Sequence, residues 1–423
     1  MSGVWCGKLI NRARGMSNGR RIILVSELFY PEESATAYIL TKISGELARG
    51  FDLLVLTGPE SYEGRAHHNA SEAPIDDSYI QRTWAPKLNK NKLVGRLLRF
   101  LVLTFGLGWK TLLTARHTDA VFAVTNPAPL LVALALIRKV RTFQLVFLVH
   151  DVFPENAVAA GIIRRDHALY PLIKRVFDWA YGSADKVITI GRDMSEVIAR
   201  KIPASAGRIT LIENWADDPL IERMARDRSL IPSMGLSDHI VVQYAGNIGR
   251  AQGLLEFVDI ISRAHNEAVR FVFRGSGALT TALQKVTQGQ DRFIHEGAYP
   301  RADQSKVLGS CDVALVILGP DMYGLGVPSK TYNILAAGKP VLFLGPRDSE
   351  IFKLVKEHDI GWAFDWDDAD QMVKLIKQWS ISDLPAIAER GTNARELVEA
   401  HYTEAGQLAR FSEFFKAMSP SAT

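Results

Sequence analysis

Two stretches in the second half of the chain combine glycines with a cationic side chain, as phosphate-binding sites do. The first is residues 244–253 (YAGNIGRAQG), a predicted strand end followed by a turn with Gly246, Asn247, Gly249 and Arg250. Glycines let backbone amides approach an anion closely, and an arginine guanidinium can bind phosphate oxygens with two parallel hydrogen bonds. Similar turns also form for packing reasons, so this stretch alone indicates a phosphate site only weakly.

The second stretch, residues 323–340, places Lys330 in a setting that favours an anion site. Pro328 and Ser329 are typical of a helix start and Gly338 of a helix end, so Lys330 is predicted beside first-turn amides that have no helical partner. Two such sites in one domain suit a diphosphate. The alternative is a solvated surface lysine. The residues expected around the diphosphate and its sugar hydroxyls are Gly324, Gly326, Ser329, Lys330 and Asn333.

Polar residues also follow predicted strands in the first half of the chain. His150 and Asp151 end the predicted strand 143–150, and they are therefore expected at the sheet edge where ligands bind. Histidine titrates near neutral pH and can orient or assist a hydroxyl group, so this pair is predicted to act on an acceptor. The alternative is a structural pair that binds loop amides. Glu32 and Glu155 are weaker acceptor-side candidates, because Pro-Glu pairs are also common at helix starts.

These residues need a scaffold, and the chain alternates short apolar runs with helical stretches. The run RIILVS at 21–26 is typical of a strand buried on both faces, and the alternation pauses at 212–219 before it restarts at 240. The pattern predicts an α/β protein with two tandem Rossmann-like, doubly wound domains that face each other across a cleft. The predicted divisions are a basic tail (1–20), an acceptor domain (21–215), a donor domain (220–400) and a C-terminal helix (401–423) that packs back on the first domain.

Composition excludes several classes of protein. The chain has 423 residues, 50 Lys and Arg against 46 Asp and Glu, and a formal net charge of +4. It is too long for a single hydrophobic core, and its charge is too balanced to favour nucleic-acid binding. Cys6 and Cys311 lack metal-site spacing, so neither a disulfide framework nor a zinc cluster is expected. No Gly-x-Gly-x-x-Gly follows the first predicted strand, which argues against NAD, and no signal peptide or membrane-spanning helix is predicted.

Together, the motifs resemble those of the retaining glycosyltransferases of family four, which have the GT-B fold. Within that family the chain looks like the bacterial branch related to O-antigen, colanic-acid and exopolysaccharide glycosyltransferases. The resemblance extends from residue 21 to the C-terminus, and its motifs are specific only in combination. They are residues 29–32 (FYPE), 150–155 (HDVFPE), 212–215 (IENW), 244–253, 274–277 (RGSG), 327–330 (VPSK) and 336–340 (AAGKP).

The resemblance implies transfer of a hexosyl or N-acetylhexosaminyl group from a nucleotide diphosphate sugar to an acceptor hydroxyl, with retained configuration. UDP is the expected carrier, and no metal or other cofactor is implied. Arg250, Lys330 and helix N-terminal amides would then stabilise the departing diphosphate. The resemblance also assigns Gly275 and Gly277 to the donor site. His295 ends a predicted strand and is expected near the nucleobase of the donor, without a catalytic role.

The chain departs from the family at four positions. Where relatives carry two donor-binding glutamates it has Leu325 and Asn333, and where they carry an arginine and a lysine it has Asn247 and Gln252. Asn333 is therefore predicted to bind the ribose as a neutral partner, while Lys330 and the neighbouring arginine replace the missing cations. The departures leave two other functions open. One is a nucleotide-sugar epimerase or hydrolase of the same fold, and the other is a nonenzymatic partner of an active transferase.

Segment 78–118 contains no acidic residue and is predicted to contact a membrane. Its large apolar residues alternate with eight cations, which suits the headgroup region of an anionic leaflet. The alternative is a core helix with a solvated basic face. The predicted location is the cytoplasmic face of the cell membrane, with a lipid-linked saccharide as acceptor and no nucleic-acid partner. The eight cations are Arg82, Lys87, Lys90, Lys92, Arg96, Arg99, Lys110 and Arg116.

Overall fold

The first of two α/β domains is built on a parallel sheet of seven strands. A computed structural model of the protein describes residues 20–32, 34–60, 75–86, 93–217, 226, 229–250 and 252–418. The strands are β1 (Arg21–Ser26), β2 (Asp52–Thr57), β3 (Ile80–Arg82), β4 (Ala120–Val124), β5 (Gln144–Val149), β6 (Lys186–Thr189) and β7 (Ile209–Leu211). Their order is β3-β2-β1-β4-β5-β6-β7, so β1 and β4 lie side by side at the switch point where such sheets bind ligands.

The helices of this domain follow from local signals as well as from their apolar faces. The first helix begins at Ser34, whose Oγ accepts the N–H of Ala37 at 3.2 Å and so satisfies a donor that the helix leaves open. The last helix has Asp193 in its first turn and two cations in its last turn, as the helix dipole favours. The helices are α1 (Ala35–Leu47), α2 (Leu93–Thr114), α3 (Pro129–Ile137), α4 (Glu155–Ala159), α5 (Tyr170–Gly182) and α6 (Arg192–Lys201).

The second domain repeats the architecture with six parallel strands in the order β10-β9-β8-β11-β12-β13. The strands are β8 (Ile240–Ala245), β9 (Val269–Arg274), β10 (Phe293–Gly297), β11 (Val313–Ile317), β12 (Val341–Leu344) and β13 (Gly361–Phe364). The helices are α7 (Leu254–Ser262), α8 (Thr280–Val286), α9 (Gln304–Gly309), α10 (Lys330–Ala336), α11 (Glu350–His358), α12 (Ala369–Gln378) and α13 (Leu384–His401). The predicted fold class, two parallel-sheet α/β domains in tandem, is confirmed.

After α13 the chain crosses back, and α14 (Glu404–Ala417) packs on the first domain. Its Phe415 ring lies 5.2 Å from the ring of Phe122 in β4, and Glu404 pairs with Lys42 of α1 at 2.9 Å. The two passages between the domains touch, because the backbone N–H of Ala216 donates to the carbonyl of Tyr402 at 3.0 Å. Of the predicted basic tail, residues 1–20, only Arg20 lies within the described residues.

Helix α2 has an inner and an outer apolar face. Leu103 and Leu107 on its inner side are fully buried, and the helix packs against α3. Residues Leu97–Thr114 are the one stretch, within the described ranges, that is long and apolar enough to cross a membrane by length and composition. No such stretch was predicted from the sequence. The buried inner face makes α2 part of the domain's helical layer.

Candidate functional site

Residues that follow β5, β8 and β11 line one cavity of about 420 Å³ between the two domains, called here the cleft. Carboxyl ends of parallel strands are where α/β sheets bind ligands, so the cleft is the candidate site. Both domains and the linker between them contribute side chains. The predicted site residues that line it are His150, Asp151, Gly246, Asn247, Gly326, Ser329, Lys330 and Asn333.

Lys330, the first residue of α10, holds its ammonium group at the end of β8. The Nζ atom donates to the carbonyl of Ala245 at 2.9 Å and lies 4.5 Å from the ring centroid of Tyr244. Burial lowers the pKa of Lys330 to about 8, because the charged form loses its hydration. This ammonium is therefore a preplaced, partly desolvated cation in the cleft wall, which an anionic ligand would stabilise.

Contacts with Tyr244 and with the backbone at Gly275 and Gly277 fix the shape of the turn after β8. The Tyr244 hydroxyl donates to the carbonyl of Asn247 at 2.6 Å. A Cβ built on Gly275 would lie 1.8 Å from the carbonyl oxygen of Gly246, and one built on Gly277 would lie 2.4 Å from the carbonyl oxygen of Ile248. Gly275 and Gly277 were predicted donor contacts, but they do not line the cleft. Their hydrogens allow the close backbone approach that positions the turn.

The predicted convergence of two cations is not what the structure shows. Arg250 lies at the rim of the turn with an exposed side chain and does not line the cleft, whereas Lys330 does. Gly249 is buried beneath the turn, where an added Cβ would lie 2.6 Å from Oε1 of Gln252. The sequence signal located the turn, but a side chain's direction depends on the backbone that carries it. Among the described residues that line the cleft, Lys330 is the cation.

Asn333 has a different environment from the one predicted. Its Oδ1 accepts the backbone N–H of Asp217 at 2.8 Å, and its Nδ2 donates to Oδ2 of Asp217 at 3.0 Å. The amide therefore already binds a carboxylate, and it does not present both of its groups to a ribose. Asp217, which the sequence analysis missed, lines the cleft together with Asn214 and Trp215. Residues 212–215 were recognised as a motif, but nothing local marks Asp217 as part of the site.

His150 and Asp151 lie in the opposite wall of the cleft. Thr125 Oγ1 accepts the backbone N–H groups of both residues at 3.2 Å, which fixes the end of β5. Nδ2 of Asn156 donates to Oδ1 of Asp151 at 2.5 Å. Burial lowers the pKa of His150 to about 4 and raises that of Asp151 to about 6. The imidazole is thus neutral at pH 7, and its Nε2 has no hydrogen-bond partner among the described residues.

The loop before α10 touches the first domain. A Cβ on Gly326 would lie 3.6 Å from Oδ1 of Asp151, and the backbone N–H of Val152 donates to the carbonyl of Leu325 at 3.0 Å. Gly324 has a φ of +66°, and its N–H donates to Oδ2 of Asp193 at 3.2 Å. Gly324 was a predicted donor contact, but it joins the domains and does not line the cleft.

Three further predicted residues lie outside the cleft lining. Glu155 forms an ion pair with Lys201 at 2.6 Å and faces α6, so it is not available to an acceptor. Nε2 of His295 lies 2.8 Å from Oγ1 of Thr287 and its ring stacks on that of Phe273, so the imidazole contacts other residues of the second domain. Glu32 follows β1 in a turn and is not among the residues that line the cleft.

Helix α2 does not mix cations and apolar residues on its outer face as predicted, because its two described cations bind other parts of the domain. Nε of Arg99 lies 3.3 Å from Oε1 of Glu27 in a buried pair, and Lys110 donates to the carbonyl of Arg82 at 2.6 Å. Lys87, Lys90 and Lys92 lie outside the described residues, as does the side chain of Arg96. The outer face is apolar instead. The α2 stripe, with 51–72% of each residue exposed, is Leu97, Leu101, Phe105, Trp109 and Leu113.

Possible metal ligands do not cluster in the part of the chain that the structure describes. No group of three or more His, Cys, Asp or Glu side chains there is arranged to hold a metal ion. Metal-independent chemistry stays a prediction.

Comparison with known proteins gives one strong relative and a shared fold. The model of Glycosyltransferase Family 4 matches residues 38–218. The probable glycosyltransferase WbjE of Pseudomonas aeruginosa is 35% identical over 400 residues, which cover 93% of this chain and 96% of the relative. The putative colanic acid biosynthesis glycosyl transferase WcaI of Escherichia coli K12 is 24% identical over 237 residues, 54% of this chain and 56% of that protein.

Among solved structures, HepE of Anabaena in complex with UDP-glucose superimposes with a TM-score of 0.67. The match covers 94% of this chain and all of HepE at 17% identity. At that identity the likeness shows a common two-domain fold, which is the GT-B fold that the motifs predicted.

Proposed function

The chain belongs to glycosyltransferase family 4, and on that premise we propose that it transfers a sugar from a UDP-linked donor to a lipid-linked saccharide with retained configuration. Its relative WbjE is named a probable glycosyltransferase, and HepE, which shares the fold, forms a complex with UDP-glucose. The name of WcaI refers to colanic acid biosynthesis, which supports a role in surface polysaccharide assembly. The family model and the glycosyltransferase relative over most of the chain make the protein an enzyme.

The observation that carries the donor assignment is Lys330 in the cleft wall. Its ammonium lies at the end of β8, 2.9 Å from a carbonyl oxygen and without a carboxylate partner among the hydrogen bonds and ion pairs of the described residues. A diphosphate leaving group gains negative charge as the glycosidic bond breaks, so a preplaced cation stabilises the transition state more than the ground state. Lys330 is therefore the group that we assign to the departing diphosphate.

The acceptor side lies across the cleft at His150 and Asp151. The neutral imidazole can accept or donate a hydrogen bond through Nε2, which suits a sugar hydroxyl. In the front-face mechanism that family membership implies, the donor phosphate itself takes the acceptor's proton, so no carboxylate nucleophile is required. His150 and Asp151 then orient the acceptor hydroxyl towards the anomeric carbon.

A membrane-bound acceptor fits the α2 stripe. Five large apolar side chains repeat every four residues along one helix face, and Phe105 and Trp109 stack with ring centroids 6.2 Å apart. Exposed faces of this kind mark protein or membrane contacts, and an amphipathic helix can lie in the headgroup region without spanning the bilayer. We propose that α2 rests on the cytoplasmic leaflet and brings the cleft to lipid-linked acceptors.

A donor screen tests the proposal. Membranes containing polyprenyl-diphosphate-linked saccharides are incubated with radiolabelled UDP-sugars and the purified protein, with and without EDTA. Transfer of label to lipid from at least one UDP-sugar, unaffected by EDTA and lost in Lys330→Met, supports the proposed reaction. Release of free sugar or conversion of the donor to its epimer, with no labelled lipid, would instead support the hydrolase or epimerase alternative.

A further inference from the structure

Asp217 and Asn333 form a two-bond pair in the wall of the cleft. The backbone N–H of Asp217 donates to Oδ1 of Asn333 at 2.8 Å, and Nδ2 of Asn333 donates back to Oδ2 of Asp217 at 3.0 Å. Asp217 is 6% exposed and Asn333 9% exposed, and both line the cleft. One residue belongs to the linker and the other to α10, so the pair fixes a linker carboxylate against the second domain.

We propose that Asp217 supplies the carboxylate that binds a hydroxyl group of the nucleotide-sugar donor, and that Asn333 is its positioning residue. The inference rests on the proposed function. A carboxyl group accepts hydrogen bonds from hydroxyl groups, whereas phosphate oxygens have no hydrogen to donate to it, so the part of the donor that faces it carries hydroxyl groups. The vicinal hydroxyls of the ribose and those of the transferred sugar share this chemistry.

Helix α10 sets the spacing between this carboxylate and the cation of the cleft. Lys330 and Asn333 are three residues apart, so their side chains lie on one face of the helix, with Cβ atoms about 5–6 Å apart. Both line the same cavity. A nucleotide sugar carries its diphosphate between two groups rich in hydroxyls. With the diphosphate at Lys330, one of those groups therefore lies next to the Asp217–Asn333 pair.

The asparagine at position 333 follows from the carboxylate at 217. A glutamate at 333 would place a second carboxylate beside a buried one, and two carboxylates in one buried site do not both ionise near neutral pH. An asparagine instead donates to Oδ2 of Asp217 and accepts from its backbone.

The test is a set of titrations that measure the affinity of UDP, 2′,3′-dideoxy-UDP and UDP-glucose for the full-length protein. We expect Asp217→Asn to bind UDP or UDP-glucose about tenfold more weakly than wild type, the loss of one charge-assisted hydrogen bond. Asp291→Asn, a change in an exposed loop of the same domain, is the matched control and should bind as wild type. Thermal melting of each variant checks that the fold is kept.

Comparing the three ligands shows whether the hydroxyl group belongs to the ribose or to the transferred sugar. If Asp217 binds the ribose, wild type prefers UDP to the dideoxy analogue about tenfold, and Asp217→Asn does not distinguish them. If it binds the transferred sugar, the loss in Asp217→Asn appears with UDP-glucose and not with UDP. Either result supports the inference.

Moving the carboxylate tests the role of Asn333. The exchange variant Asp217→Asn with Asn333→Asp should regain the lost affinity, whereas Asn333→Glu alone should lose it. A purely structural role for Asn333 would not produce this rescue. If folded Asp217→Asn binds both UDP and UDP-glucose as tightly as wild type, the inference is wrong and the proposed function still stands. A wild-type protein that binds neither ligand would overturn the proposed function.

Discussion

Gly246 leaves room for the ammonium group of Lys330: a Cβ built on Gly246 would lie 1.9 Å from Nζ. Gly246 also has a φ of +148°, which L-residues rarely adopt. We expect Gly246→Ala to push the ammonium away from the carbonyl of Ala245 and to weaken UDP binding about tenfold, a loss of about 1.4 kcal/mol. Isothermal titration with UDP measures the change.

The matched control for Gly246→Ala is Gly289→Ala. Gly289 has a φ of +76° and no atom within 4 Å of its added Cβ, so this change introduces backbone strain without an overlap. Both variants should lose about 1 kcal/mol of stability or somewhat more. Equal UDP affinity in the two variants would mean that the room beside Lys330 is not needed for the donor.

UDP affinity should fall as pH rises through about 8. Burial lowers the pKa of Lys330 to that value, so the group is an ammonium below it and a neutral amine above it. Lys330→Arg keeps its charge to well above pH 10, so its UDP affinity should stay level across this range, even where it is lower than that of wild type. Dissociation constants measured from pH 7 to 9.5 give the answer. A wild-type curve without a step near pH 8 would contradict the assignment.

Transfer should fall as pH drops through about 6, because burial raises the pKa of Asp151 to that value and the protonated carboxyl, having lost its charge, is a weaker acceptor of hydrogen bonds. Asp151→Asn should transfer more slowly, and its rate should no longer fall as the pH drops through about 6. Its donor affinity should stay close to wild type. His150 remains neutral across the same range, since its pKa is about 4. His150→Gln should therefore slow transfer, but its rate should still fall as the pH drops through about 6. An unchanged rate in both variants would leave the pair with a structural role.

Membrane binding should depend on the α2 stripe. Replacing Leu101, Phe105 and Trp109 with glutamine removes exposed apolar area and should shift the protein from floated vesicles to the soluble fraction. The exposed positions make a large loss of stability unexpected. Val286→Gln, an exposed apolar residue on α8 of the second domain, is the control. Wild-type protein that floats with neither anionic nor neutral vesicles would contradict the membrane contact.

The contribution of the cations in segment 78–118 to membrane binding has to be tested without changing Arg99. Arg99 pairs with buried Glu27, and a glutamate there would bring two carboxylates together inside the domain. Charge reversal at Lys87, Lys90 and Lys92 changes cations of the segment without replacing Arg99 or Glu27. Salt should weaken binding to anionic vesicles, because exposed charges are screened within about 8 Å at physiological ionic strength. Flotation across a salt series measures this, and binding that is insensitive to salt would leave the apolar stripe as the sole contact.

The sequence was sufficient for features that depend on neighbouring residues. Apolar runs such as RIILVS become strands wherever both faces are covered, and the glycine turn after β8 follows its strand directly. Lys330 could be assigned because Pro328 and Ser329 precede it and mark the helix start. These signals lie within a few residues of the atoms that they position.

The sequence was not sufficient where partners are far apart in the chain. Asp217 and Asn333 are separated by 116 positions, and Glu27 and Arg99 by 72. Whether a carboxylate faces a ligand or a buried cation is decided by tertiary packing, which no local pattern records. Glu155 was mistaken for an acceptor contact for this reason, because its partner Lys201 lies on another helix.

The hydrogen bond between Ala216 and Tyr402 ties the wall of the cleft to the C-terminal part of the chain. The chain passes between the domains at 212–217 and again after α13, and this bond joins the two passages side by side. Asn214, Trp215 and Asp217 of the first passage line the cleft. Residues 402–418, distant from the cleft in sequence, thus belong to the support on which its lining rests.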